Sequence, residues 1–509
     1  MNTSKRMVIN TGVMYFKMFI TIILSLYIAR IMLEVLGVLD YGIYNIVAGV
    51  VTMFSFLDSS MATATQRFIT FELGKKSGAN LQKVFSASLY SHIILSIIIF
   101  IIVEVVGFWF FDKFINVPVD RLSAAKFVFH FSLLTLICNL LVSPYRALMN
   151  AYERMVLIAI MDIINTLMKL GILFLLIYIN KDNLRVYGVL VFVVSLFTLL
   201  VFLLIARNKY SESKLIKVRD SVLFKDIFSF GMYKLMGSLS NVGVNQGYAI
   251  LLNVFFGPIM NAAFGIANQV NGQLRNFANN IIIAVNPQLV KRYAAGQKSE
   301  MMKLTFQSSK FAFFALLIIT TPVLFEMNNL LNLWLTTVPE NTGIICQLII
   351  VGALIDVIAQ PTMTIIEATG RIKKYQVVTG IIVLLNVPIS YLFLKMNFSF
   401  HVIFFVYIFI SVVVFYIRLL YAKKLVDLNI KDYLKSVVLS VMIVSIFNVV
   451  LIFAMEYLLR NSSGWFLFYR LTLCIIISSV IIYQFGLTSI ERKYIITKVV
   501  NPIFGSNIK

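Results

Sequence analysis

The 509-residue chain is poor in the residues that build redox or metal centres, with only three cysteines and three histidines. Cys138, Cys346 and Cys474 lie far apart, each inside an apolar run. They offer neither a disulfide framework nor a metal-ligand spacing. His92, His130 and His401 are equally scattered, so neither a catalytic histidine cluster nor a metal set is expected, and no cofactor is expected. Charge is scarce at 13% of residues, and acids are outnumbered by bases, 22 to 44. Long polar loops are missing too. The longest polar segment is 207–225, too short for a folded extramembrane domain.

What is present is apolar length. Hydrophobic residues make up 60% of the chain and the mean hydropathy is +0.91, beyond the about 45–50% of ordinary soluble domains. Runs such as 93–106, 186–206 and 437–454 are long and nearly uncharged, and a bilayer core needs about 20 such residues. The runs are continuous rather than alternating, which excludes a β-barrel. The reading is an all-α polytopic membrane protein of about 14 helices: 7–32, 38–62, 81–111, 124–149, 156–179, 187–206, 226–256, 261–290, 304–330, 341–368, 376–396, 401–422, 433–459 and 465–487. The first span is too long for a signal-peptide core and is expected to be retained.

The net charge of +22 follows from topology. With both termini cytoplasmic, 30 of the 44 lysines and arginines fall on inner ends and loops and 8 on outer ones. That alternation is the positive-inside rule. It removes a nucleic-acid partner from consideration and leaves attraction to anionic lipid. Arg146 and Arg418 count among the inner-loop charges on this reading.

Parts of the chain echo each other about 217 to 222 residues apart. Pro144, Ala151 and Arg154 keep the spacing of Pro361, Ala368 and Arg371. Gly74-Lys75-Lys76-Ser77 with Lys83, Phe85 and Ser88 matches Gly296-Gln297-Lys298-Ser299 with Lys303, Phe306 and Ser309. Leu36-Gly37 matches Phe256-Gly257, each a tight outer turn that calls on glycine's freedom of φ. Six helices return the chain to the same side, so the repeat is parallel. The expected organisation is a six-helix lobe (1–206), a cytoplasmic linker (207–225), a second six-helix lobe (226–425), and two extra helices with a cytoplasmic tail (426–509). Prolines at the matched positions 144 and 361 suggest symmetric bends, either for rocking lobes or as static kinks.

Charges inside spans are costly and by default face the bundle interior or a water-filled cavity. On the eighth span Asn261, Asn268, Arg275, Asn279 and Asn286 fall within about 40° of the helical wheel, with Asn271 and Gln273 nearby. One or two asparagines would serve as interhelical glue. Four on one stripe around an arginine suit a hydroxyl-rich, anionic ligand. Lys234, Ser238, Asn241 and Asn245 repeat the design on the seventh span, and Asn10, Lys17 and Thr21 share a face of the first. Lys17, Lys234 and Arg275 are therefore the expected cationic lining of a central seam, with snorkelling as the alternative for the lysines. Asp162 and Lys169 share the fifth helix two turns apart and read as an internal structural pairing with a neighbouring helix. Asp58 and Asp356 either bind a coupling ion or neutralise Lys17 or Arg275; both roles stay open. Apart from Arg470, the appended pair carries few polar residues and forms either a lipid-tail groove or plain packing.

The run Leu36-Gly-Val-Leu-Asp-Tyr-Gly-Ile-Tyr44, Gln66-Arg67-Phe68, the two Pro…Ala…Arg repeats and the 6+6+2 layout together resemble the multidrug/oligosaccharidyl-lipid/polysaccharide (MOP) exporter superfamily. The resemblance covers essentially the whole chain and points to the polysaccharide-transport branch, the Wzx-type O-antigen flippases with their MATE-like fold. It implies no enzyme activity. It implies flipping of undecaprenyl-diphosphate-linked oligosaccharide, an O-antigen (lipopolysaccharide) or capsule repeat unit, by alternating access. The place implied is the bacterial inner (cytoplasmic) membrane, multi-pass with both termini cytoplasmic. The partners implied are the lipid-linked oligosaccharide, the bilayer and other polysaccharide assembly proteins. Lys17, Lys234 and Arg275 match the family's cationic cavity by position. Asn241, Asn245, Asn268, Asn271 and Asn279 would receive the glycan, and Asp58 and Asp356 are the candidates for ion coupling. The alternatives are a cation-coupled MATE multidrug exporter, a lipid II flippase, and a membrane glycosyltransferase or polymerase. The last would need a larger loop than 207–225 offers.

Overall fold

The computed structural model describes residues 3–52, 54–75, 80–113, 118–179, 182–218, 220–335, 338–458, 466–489 and 491–492. These are helical almost throughout, and no strand occurs among them. The helices are α1 (Thr3–Thr52), α2 (Ser55–Gly74), α3 (Leu81–Lys113), α4 (Val119–Ala151), α5 (Met155–Ile177), α6 (Asn183–Lys209), α7 (Ser221–Phe256) and α8 (Pro258–Ala294). After them come α9 (Lys298–Phe325), α10 (Met327–Trp334), α11 (Thr342–Ala368), α12 (Lys373–Leu384), α13 (Asn386–Lys395) and α14 (His401–Val426). The chain closes with α15 (Ile430–Tyr433), α16 (Leu439–Leu458) and α17 (Phe466–Ile481). Of the echoed segments, Lys76 and Ser77 lie outside the described residues, as do the tail beyond 492 and the outer turn 459–465.

Among the described residues, eleven segments are long and apolar enough to cross a membrane. They leave out the stretch from 38 through α2, and α7 and α8, each of which carries many asparagines, serines or threonines. Fourteen passes result among the described helices when α1 is split at its kink and its second part joined to α2, the eight-residue α10 is left out, and α12–α13 and α15–α16 are each taken as one. The split is set by Gly37, whose φ of 74° and ψ of 166° interrupt α1. Gly257 adopts nearly the same conformation, φ 85° and ψ 179°, between α7 and α8. That region is essentially closed to residues with a Cβ, and Pro258 then opens α8 with its φ already helical. The two outer turns expected from sequence are therefore the same turn.

The second repeat also has a shared backbone. One residue before Arg154 and before Arg371, Glu153 and Gly370 take positive φ of 60° and 78°. Each ends a proline-containing helix, α4 with Pro144 and α11 with Pro361. The copies differ in the second pass. α8 runs unbroken for 37 residues, whereas its counterpart stops at Thr52 and resumes at Ser55.

The described helices divide into two compact units, Ile9–Ser238 and the remainder. The division falls inside α7 rather than in the expected 207–225 linker. In the first unit α3 shows how the bundle is sorted. Ser88, Ser91 and His92 are fully buried, while Ile97, Ile101 and Val105 are more than half exposed. A lipid-facing helix does this because hydrocarbon accepts isoleucine, whereas hydroxyls need a partner. Ser91 Oγ donates to the Ala87 carbonyl at 2.9 Å. Arg121 of α4 ties the ends together, reaching Asp40 just beyond the Gly37 kink and Asp182 just before α6. Arg67 lies over the rings of Phe68 and Phe71 at 4.5 and 4.8 Å, which gives the Gln-Arg-Phe run a cation–π role.

In the second unit α8, α9, α11 and α14 share one core around Ala312, Leu316, Ile345 and Phe404. The appended α16 and α17 pack on α9. Arg470 of α17 pairs with the buried Glu326 at 2.5 Å, and Lys310 of α9 pairs with Glu491 at 2.7 Å. The Tyr433 hydroxyl donates to the Ile358 carbonyl at 2.9 Å and lies at hydrogen-bond distance, 3.0 Å, from Ser309 Oγ.

Gly37→Ala and Gly257→Ala should each destabilise the purified protein by about 1–3 kcal/mol. Gly265→Ala, which meets nothing within 4 Å at ordinary helical φ, should be neutral or stabilising by about 0.5–1 kcal/mol. Thermal unfolding in detergent reads all three, and equal melting temperatures would refute the shared-turn assignment.

Candidate functional site

A cavity of about 580 Å³ lies within the first unit, walled by α1, α2, α4, α5 and α6. Its lining is polar for a membrane bundle. Lys17 and Thr21 come from α1, Asp58 from α2, Asn139, Ser143 and Arg146 from α4, Asp162, Asn165, Thr166 and Lys169 from α5, and Thr198 from α6. Asp162 organises it. Its Oδ2 accepts from Lys17 Nζ at 2.9 Å and its Oδ1 from Arg146 Nη2 at 2.5 Å. The Arg146 guanidinium also lies over the Phe202 ring at 5.1 Å. Asn165 Nδ2 donates to Thr198 Oγ1 at 2.9 Å, and that hydroxyl donates in turn to the Val194 carbonyl. Asp58 faces Ser143 and Arg146, and its Oδ1 is buried with no hydrogen-bond partner.

The second unit has a closed ionic centre. Arg275 Nη2 of α8 donates to Asp356 Oδ2 of α11 at 2.7 Å and to the Tyr407 hydroxyl of α14 at 3.0 Å. Tyr407 donates to the same Asp356 oxygen at 2.9 Å. Gly352 makes this possible, because a Cβ there would run into the Tyr407 ring. About three turns along α14 from Tyr407, Arg418 Nε donates to the Tyr375 hydroxyl of α12 at 3.1 Å.

The residues expected to act are distributed as follows. Lys17 and Asp58 line the first-unit cavity, and Arg275 and Asp356 form the core of the second-unit centre. Lys17 takes Asp162 as its carboxylate, not Asp58. Lys234 is half-buried on α7, at the end that belongs to the first unit. Asn241 and Asn245 are exposed on α7. Asn268 and Asn279 are half-buried, and Asn271 has a buried Oδ1 without a partner. Asn286 accepts from Thr364 of α11 at 2.8 Å, so two members of the α8 stripe, Arg275 and Asn286, bond to α11. The side chain of Asn261 lies outside the described residues.

Three assignments change. Arg146 and Arg418, counted as inner-loop charges, sit inside α4 and α14 and carry bonds of their own. Asp162 spends both oxygens on α1 and α4, which leaves Lys169 with no hydrogen bond or ion pair among the described residues. Both arginines had a signal, since they lie within the predicted spans 124–149 and 401–422. Tyr407 had none, because a tyrosine in an apolar helix reads as core.

The polysaccharide biosynthesis protein family matches residues 4–292. No curated protein sequence matches the chain. Solved structures with the same architecture include the MATE transporter ClbM in complex with Rb⁺, at 13% identity and TM-score 0.69, covering 85% of this chain and 96% of that one. A MOP superfamily transporter from Pyrococcus furiosus, whose reversed binding-pocket polarity is said to suggest a different function, matches at 12% identity and TM-score 0.70, with 84% and 96% covered. An outward-facing multidrug resistance MATE family transporter matches at 13% and 0.70, with 84% and 96% covered. At these identities the likeness establishes the fold, which is MATE-like.

Removing one partner of a buried ion pair costs about 3–5 kcal/mol, less here because the groups are partly exposed. Asp356→Leu alone should therefore destabilise by about 1–3 kcal/mol, and Arg275→Met with Asp356→Leu should recover most of that loss. Additive single losses in a double-mutant unfolding cycle would show that the two side chains are not coupled.

Proposed function

This chain belongs to the polysaccharide biosynthesis protein family of the MOP superfamily, and on that premise we propose that it is a flippase for undecaprenyl-diphosphate-linked oligosaccharide. It is a multi-pass membrane transporter by family and fold. In the proposed reading it moves an O-antigen or capsule repeat unit across the bacterial cytoplasmic membrane, with both termini inside.

The observation that carries this is the charge of the first-unit cavity. Lys17, Arg146 and Lys169 outnumber Asp58 and Asp162 there, among hydroxyls and carboxamides. An anionic, hydroxyl-rich substrate is complementary to such a wall. A cation exporter would instead need acids in excess. The conformational work is assigned to the glycine turns and proline-bearing helices, and the ionic centres hold each lobe together while it moves. Lys234 and Arg275 are proposed to meet the diphosphate, the asparagines of α7 and α8 the glycan, and Lys17 to keep the first-unit cavity in shape for an anionic part of the substrate. Of the two acids considered for ion coupling, Asp58 has an unpartnered oxygen, whereas Asp356 is held by Arg275 and Tyr407. Coupling is therefore assigned to Asp58. No catalytic step is part of this reading.

The purified chain in proteoliposomes should carry undecaprenyl-diphosphate-linked saccharide from one leaflet to the other, followed as protection from a membrane-impermeant glycosidase. Lys17→Ala, Lys234→Ala and Arg275→Ala should each slow it by about tenfold or more, a loss of about 1.4 kcal/mol of barrier stabilisation, at unchanged membrane abundance. Protein-free rates from the wild-type chain would sink the function. Wild-type rates from all three variants would sink the assignment of cations.

A further inference from the structure

Lys169 is out of place for a membrane helix. It lies eight residues from Ile177, about 12 Å from that end of α5, and farther from the other. Its side chain lines the first-unit cavity instead of snorkelling to an interface. The nearest carboxylate on its own helix, Asp162, is engaged on both oxygens by Lys17 and Arg146. Asp58 faces Ser143 and Arg146. The ammonium is therefore a cation at membrane depth with no ion-pair partner among the described residues. Such a charge is unfavourable until water or an anion compensates it.

The surroundings indicate which anion. Three cations against two carboxylates leave the cavity one formal positive charge. A monoanion balances that, whereas a diphosphate would bring more negative charge than the wall can match. Asn139 and Ser132 of α4 and Ser195 of α6 present neutral donors and acceptors to the same space, the groups that hydrogen-bond sugar hydroxyls. About 580 Å³ falls in the range of about 300–1,000 Å³ typical of small-ligand sites. That admits a sugar residue or two and excludes a whole lipid-linked chain.

We infer that the first-lobe cavity is a subsite for an acidic sugar, a hexose ring bearing a carboxylate, with Lys169 as the anchoring cation. This rests on the flippase reading and deepens it, since the glycan carried would then contain a uronic-acid-type residue. Lys17 and Arg146, locked on Asp162, act as positioning residues that keep Asp162 from neutralising Lys169.

The test uses the full chain in detergent and three probes: methyl glucuronide, methyl glucoside and inorganic pyrophosphate. Ligand-dependent thermal stabilisation gives apparent affinities for each. Methyl glucuronide should bind about tenfold more tightly than methyl glucoside, and more tightly than pyrophosphate. Lys169→Gln should erase the preference for the glucuronide while Lys169→Arg keeps it, with ligand-free melting of both variants reporting their folding. Equal affinity of the wild-type chain for the two glycosides overturns the inference even if Lys169→Gln does not fold. So does a preference for pyrophosphate that Lys169→Gln abolishes, or an unchanged glucuronide preference in a folded Lys169→Gln. Because the assay involves neither transport nor lipid, its failure leaves the flippase reading standing, and failed transport leaves this result standing.

Discussion

Asp162 carries two cations on one carboxylate, Lys17 from α1 and Arg146 from α4, and so pins three helices of the first unit at one point. In an apolar bundle this matters more than it would at a wet surface. Lipid and protein interior are equally apolar, so burying leucine against leucine contributes no large hydrophobic gain, and packing and polar pairing hold the helices. Losing one partner leaves the other as an uncompensated charge, the costliest defect such a bundle can have. The second unit follows the same rule with Arg275, Asp356 and Tyr407. The appended helices follow it with Arg470–Glu326 and Lys310–Glu491. The first of these holds α17, and the second the residues that follow it, to the α9 region.

The two repeats share their backbone punctuation and differ in their ions. Gly37 and Gly257 make one turn, and Glu153 and Gly370 make another. Yet Asp356 stands where the repeat spacing of 217 places Asn139. The second unit can therefore close an arginine–carboxylate centre at that level, whereas the first has a carboxamide on an open cavity wall. A repeat preserves what the backbone needs, because a helix end or a glycine-only turn is a local requirement. Side chains that face the interior are free to diverge, and in this chain the divergence is where the candidate site lies.

The helical passes, the repeat and the likeness to the MOP superfamily were all legible in the sequence. Each depends on local quantities: apolar length, and glycine and proline at fixed spacing. The candidate site was legible only in its composition. Lys17, Arg275, Asp58 and Asp356 stood out because charge in an apolar helix is rare. Their partners did not, since Asp162 takes Lys17 from 145 residues away while Lys169, two turns along the same helix, goes without. Arg146 read as a loop charge because sequence places a helix end only to within a few residues, and Tyr407 read as core. Which segments are long and apolar enough to cross a membrane was determined by the chain itself, through hydropathy summed along it. Which charges cancel, and which one is left over in the cavity, was decided only by the tertiary structure, because electrostatic pairing acts over ångströms in space and ignores distance along the chain.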